Sequence, residues 1–145
     1  MQEPPTFLIP LVVLVPFGVI LVLSRISGWN LLAEHYPATG DLPPTKKRMG
    51  YGVFRGWVGY NGGIIVGSDA RGLSLRAMPL LLSFCHRPIF IPWSEIVRIE
   101  ERSGWKGRTC AIRTRRARDV DFALRPSTFQ VVRDEAKSAG VPGEY

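Results

Sequence analysis

Charge is missing from the first stretch of this chain. Residues 4 to 24 contain no Asp, Glu, Lys, Arg or His, and no basic residue precedes Arg25. Cysteine is scarce too. Cys85 and Cys110 are too few for the disulfide framework of a small secreted domain, and their spacing matches no metal pattern. Cys85 and His86 are adjacent, so on an extended chain their side chains diverge, and His35 and Cys110 are remote. The only histidines are His35, beside the uncharged run, and His86, in a Pro-flanked turn. Nucleophilic catalysis needs a base held against Ser or Cys, and no G-x-S-x-G, Gly-rich phosphate loop or H-E-x-x-H is present. Glu95, Glu100 and Glu101 are the nearest carboxylates, but Glu100 and Glu101 would point to opposite faces of a strand. The expectation is no enzyme, no cofactor and no metal.

What is there is a membrane-length apolar run. Pro4 to Ser24 is 21 uncharged residues, which as a helix would span roughly 31 Å, against a hydrocarbon core of about 30 Å. Pro10 and Pro16 lie inside it, and proline is tolerated in membrane helices. A cleaved signal peptide would need a basic start and a small-residue cleavage site. The chain instead begins Met1-Gln2-Glu3, and Ser24-Arg25-Ile26-Ser27 is a poor site. A buried core helix of this length is more than so small a domain usually hides. Residues 1–25 therefore read as a single transmembrane anchor. Arg25 and then Lys46-Lys47-Arg48 follow the span while Glu3 precedes it, which places the N-terminus outside and the following domain in the cytoplasm. There the two cysteines are expected to be reduced.

Residues 26–50 read as a juxtamembrane helix and linker. Ser27 caps a short helix through Tyr36, ended by Pro37. Ile26, Trp29, Leu32, Ala33 and Tyr36 share one face. Two readings stay open: an interfacial helix with Arg25, Trp29 and Tyr36 at headgroup level, or packing against the domain itself. Pro37, Gly40, Pro43, Pro44 and Gly50 mark the rest as linker, whose Lys46, Lys47 and Arg48 either touch anionic lipid or are simply solvated.

From Tyr51 to residue 140 the period becomes two, with turn signals every eight to twelve residues. Tyr51 to Gly59 is a first strand and Asn61-Gly62-Gly63 a hairpin turn. Ile64 to Gly67 follows, then the Ser68 to Gly72 turn. Leu73 to Met78 comes next, with Leu73, Leu75 and Ala77 facing one way. Ile89 to Ile91, Ile96 to Arg102, Thr109 to Thr114 and Val120 to Arg125 complete seven strands; in the last, Val120, Phe122 and Leu124 point inward. A helix closes the domain. Ser127 and Gln130 make a capping box, Phe129, Val132, Ala136 and Ala139 an apolar face, and Gly140 and Pro142 stop it. Residues 141–145 are a tail. Trp57 and Trp93 read as core, and Leu80-Leu81-Leu82-Ser83-Phe84 as a buried connection or an exposed interface. The fold class is mostly β: one N-terminal transmembrane helix, then a seven-stranded barrel or bent sandwich capped by a C-terminal α-helix.

That order of elements resembles the pleckstrin-homology (PH) superfold, including its GRAM-like and bacterial PH-like versions. More narrowly, the chain is similar to small bacterial membrane proteins of unknown function with one N-terminal anchor and a PH-like domain. The residues carrying this are Ser27-Gly28-Trp29-Asn30-Leu31-Leu32-Ala33-Glu34-His35-Tyr36-Pro37 and Phe90-Ile91-Pro92-Trp93-Ser94-Glu95-Ile96. The resemblance implies a bacterial cytoplasmic membrane and binding to lipid headgroups, peptides or proteins, and it supplies no reaction. Lipid-binding PH domains usually place several Lys or Arg in and beside the first hairpin loop. Here Asn61-Gly62-Gly63, with Arg55 alone on the preceding strand, argues against specific phosphoinositide recognition.

The chain carries a formal net charge of +7, concentrated in Arg98, Arg102, Lys106, Arg108, Arg113, Arg115, Arg116 and Arg118. Nucleic-acid binding would pair such a patch with stacking aromatics, and only Trp105 is near. No nucleic acid and no small-molecule substrate are expected. Lys46, Lys47, Arg48, Arg113, Arg115, Arg116 and Arg118 are the candidates for docking. Their target is either an acidic surface on other subunits of a membrane protein complex or anionic membrane lipid. The leading expectation is an accessory or assembly subunit, the alternative a lipid-sensing module.

Overall fold

The computed structural model describes residues 8–44, 46–78, 85–104 and 107–145. The chain is mostly β, with a C-terminal helix against the sheet. Helix α1 runs Leu8–Ile26 and α2 Trp29–His35. Strands β1 Lys46–Phe54, β2 Val58–Ser68, β3 Gly72–Ala77 and β4 Ile89–Pro92 follow. A single 3-10 turn at Trp93–Glu95 leads to β5 Ile96–Gly104, β6 Gly107–Thr114 and β7 Phe122–Leu124. Helix α3 Pro126–Ser138 and a two-residue β8, Gly143–Glu144, end the chain. The eight strands form one sheet in the order β4-β3-β2-β1-β7-β6-β5-β8. Every pairing is antiparallel except β5 with β8.

The alternation read from sequence sets the core. Leu73, Leu75, Ile89, Ile91, Val120, Phe122 and Leu124 are all buried, with Ala77 at its margin. Phe129, Val132 and Ala136 on α3 close over β1 and β2, whereas Ala139 is exposed. Pro126 occupies the first turn of α3, with Arg125 at the cap position, so Ser127 lies inside the helix rather than capping it.

Three expectations are corrected. Asn61-Gly62-Gly63 is not a hairpin turn but part of β2, where the register slips from Gly50↔Ile64 to Tyr51↔Asn61. The insertion is a bulge, with Gly62 at φ 70. The hairpin reverses instead at Arg55 and Gly56, whose φ values of 51 and 77 suit a turn matching the twist of the strands. The linker is also shorter than expected: Lys46, Lys47 and Arg48 lie on β1, and Lys46 and Lys47 pair with Gly67 and Val66. Third, Trp57 is 60% exposed at the hairpin end, while Trp93 is buried as expected. Leu80 to Phe84, Trp105 and Lys106 lie outside the described residues.

Among the described residues, no single helix is long and apolar enough to cross a membrane. Helix α1 followed by α2 has sufficient apolar length, with a 58° bend between them. Yet α2 belongs to the domain, because Trp29, Leu32 and Ala33 are at most 3% exposed in the core.

Candidate functional site

The site begins where α1 meets the sheet. Gly28, at φ 80, turns the chain from α1 into α2. Any Cβ there would lie 2.6 Å from Val120 Cγ2 and 3.1 Å from Arg55 Nε, so the joint admits only glycine. Ser27 Oγ accepts from Trp29 N (3.3 Å) and from Tyr60 Oη (3.0 Å), and donates to Ser24 O (3.3 Å). Tyr60 Oη lies 2.8 Å from His86 Nε2. With the phenol proton directed at Ser27, the imidazole Nε2 carries the proton it shares with Tyr60. Burial raises the Tyr60 pKa and its bond to Ser27 offsets part of the rise, so the phenol stays neutral. Trp29 fills the space beneath, with ring centroids 5.3 Å from Phe54 and 5.2 Å from His86. Its Nε1 donates to Arg87 O (2.8 Å).

Of the two readings of the residue 26–36 face, the burial favours packing against the domain. Trp29 and Tyr36 are 0% and 3% exposed, packed inside the domain; the helix face legible in sequence is covered by the sheet rather than by lipid. Tyr36 Oη donates to Glu95 Oε2 (3.1 Å) and accepts from Arg116 N (3.0 Å). Arg25, the third, is exposed at the end of α1.

The docking candidates do not form one patch. Lys46 is exposed at the start of β1, about 26 Å along the strand from its Phe54 end. Arg113 is the penultimate residue of β6, and Arg115, Arg116 and Arg118 lie in the connection to β7. Arg116 Nε pairs with Glu95 Oε2 at 3.4 Å and Arg113 Nε with Asp121 Oδ1 at 3.5 Å. Arg118 Nε donates to Arg115 O (3.3 Å). Sequence reasoning missed Arg55 as a member of this group. It sits in the β1–β2 turn, its N donates to Asp121 O (2.7 Å) and its Nη1 to Ile26 O (3.3 Å). Arg102 joins too, 3.7 Å from Asp121 Oδ2. The available signal was the outward-pointing Asp121 between inward Val120 and Phe122.

Elsewhere the chemistry is spare. No group of three or more His, Cys, Asp or Glu among the described residues is arranged to hold a metal ion. Burial, and then Glu101, push the Cys110 thiol up, away from the thiolate a nucleophile needs. An open depression of about 210 Å³ lies on the outer face of the sheet, floored by Val53, Ala111 and Ala123. The chain matches no protein-family model, and no curated protein matches it.

Proposed function

We propose that this chain is a non-enzymatic, membrane-anchored PH-like protein, an accessory or assembly subunit that docks on a larger membrane protein complex. One observation carries the reading. Leu11, Val12, Leu14, Val15, Val19, Leu21 and Val22 are 44 to 69% exposed along α1, while the helix directly after it is buried in the sheet. Each such side chain left in water forgoes roughly 1.5–3 kcal/mol of burial, and a contiguous apolar surface of this kind is covered by lipid or by neighbouring membrane helices. The uncharged run from residue 4 to residue 24 supplies the span. The Gly28 joint then holds the domain at one height and orientation above the bilayer. The PH-like assignment rests on the four-strand meander, the second set of three strands and the C-terminal helix. Arg25 directly after the apolar run favours a cytoplasmic domain, and the resemblance to small bacterial membrane proteins favours the inner membrane of a bacterium.

The test is native extraction. The full-length protein should stay with membranes through an alkaline carbonate wash and, in mild detergent, co-purify with a stoichiometric companion. Release by carbonate would sink the anchor, and a lone monomer in detergent would sink the docking role. The second reading, an anionic-lipid module, is favoured by one observation: Arg55 is bonded to the last residue of α1, so guanidinium groups lie where headgroups would be.

A further inference from the structure

We infer that Arg55, Arg102, Arg113 and Arg118 form a phosphate-binding site beside the end of α1, which takes the headgroup of an anionic phospholipid. Its lipid source rests on the membrane-anchor reading; the phosphate chemistry does not.

Two depressions adjoin there. One, of about 590 Å³, is lined by Arg55, Gly56, Arg102, Arg118, Asp119 and Asp121. The other, of about 350 Å³, is lined by Val97, Arg113, Thr114, Arg118 and Asp121. Arg118 and Asp121 line both. Asp121 works as a positioning residue, drawing Arg102 and Arg113 to its two oxygens from neighbouring strands. Arg102 also leans on Glu100, 3.8 Å away. Arg55 and Arg118 are held differently, by the backbone carbonyls of Ile26 and Arg115. A carbonyl fixes a guanidinium without cancelling its charge, so both keep their full charge toward the depression. Each guanidinium has five N–H donors, and these contacts occupy only one or two of them. What remains is a set of donors along two adjoining depressions, four cations against Asp119, Asp121 and the Glu100 that Arg102 shares with Arg98. A tetrahedral oxyanion, which accepts several charge-assisted bonds at once, suits that arrangement.

The height of the cluster points to lipid as the source. Arg55 Nη1 touches the carbonyl of the last α1 residue, one position beyond Arg25, where the apolar run gives way to charge. Phosphates of the facing leaflet lie at that level. General basicity does not explain the set: Arg116 lines neither depression, and Lys46 stands at the opposite end of β1.

The experiment uses the full-length protein and two probes. In the first arm it is placed in nanodiscs of phosphatidylcholine mixed with phosphatidylglycerol, and retained lipid is read by native mass spectrometry. In the second, detergent-solubilised protein is titrated with inorganic phosphate and with glycerol phosphate by calorimetry. The wild type should retain phosphatidylglycerol over phosphatidylcholine. That preference should fall roughly tenfold in the Arg102→Gln/Arg118→Gln variant, the loss expected from removing charge-assisted donors. Lys137→Gln, which removes one charge on α3 as Arg118→Gln alone does in the cluster, should leave it intact. Arg118→Gln alone, which gives up only a carbonyl contact, serves as a second variant should the double one melt early. Phosphate binding in solution that is lost in the variants, with no lipid preference, would assign the site to a soluble phosphate compound. No preference and no phosphate binding, or equal losses in Lys137→Gln, would overturn it. Failure to enter nanodiscs would remove the anchor reading alone, because the solution arm still decides the site.

Discussion

Gly28 shows how much one residue position can carry. A methyl group there would sit inside Val120 and against Arg55 while the backbone keeps a φ of 80. Gly28→Ala should therefore cost about 2 kcal/mol or more, combining left-handed strain with a clash, read as a lowered thermal midpoint of the full-length protein in detergent. Asp69 gives a prediction with a pH sign. Its Oδ1 accepts the backbone N–H groups of Arg71 (2.8 Å) and Gly72 (3.2 Å), and its Oδ2 the Arg71 side chain (2.9 Å). Burial pushes its pKa up, but these bonds outweigh it and hold the carboxyl below its ordinary 3.8. A folded value below the unfolded one means the stabilisation is present in full above 3.8 and disappears as pH falls through the folded value. Asp69→Asn should thus cost about 1 kcal/mol at neutral pH. The gap to wild type should close in acid, which urea titrations at several pH values would measure. An unchanged gap at the lowest pH would mean that the amide fails for steric reasons, with charge playing no part.

Among the elements, β2 contrasts a glycine that the backbone requires with one that it does not. Gly62 sits in the left-handed region, whereas at Gly59 a Cβ would meet nothing nearer than Tyr51 Oη at 3.7 Å. Gly62→Val should destabilise by about 2 kcal/mol, and Gly59→Val should stay within about 0.5 kcal/mol of wild type or gain from strand propensity. Equal costs would mean that Gly62 is not held in the left-handed region. The same strand shows where sequence is readable. Period two placed Leu73, Leu75, Phe122 and Leu124 on one face, and all four are buried, because burial on one face leaves that mark directly. Asn-Gly-Gly was misread because bulges and hairpin turns both require positive φ, and local composition does not separate them. The true turn used Arg55, a residue type that seldom marks left-handed backbone. Two-residue β8 is too short to show a period at all. The arginine cluster was legible only as charge: Arg55 and Asp121 are brought together by the β1–β7 pairing, a long-range contact with no local signal.

At the scale of the whole molecule, the decisive feature is that α2, directly after α1, is part of the domain core. An apolar face on residues 26–36 predicts that something covers it, and helical periodicity is silent on what. Here the cover is the sheet: Trp29 and Leu32 are completely buried, and Ala33 and Tyr36 nearly so. Losing Trp29 and Leu32 alone would cost on the order of 5–10 kcal/mol by analogy with large-to-alanine substitutions, comparable to the entire stability of an ordinary domain. A chain starting at Tyr51, where the alternating pattern begins, would lack both and half of β1. It should show no cooperative melt by circular dichroism. A chain starting at Leu23 keeps α2, Ser27 and the Ile26 carbonyl that receives Arg55, and should unfold cooperatively. If the Tyr51 start melted as sharply and at the same temperature, α2 would be an accessory to the domain. A force or tilt applied to α1 would then be dissipated at the joint instead of turning the domain. With α2 as core, the direction in which α1 leaves the sheet is set at the Gly28 joint. If α1 is the membrane anchor proposed above, the same joint sets the height of the arginine cluster at Asp121.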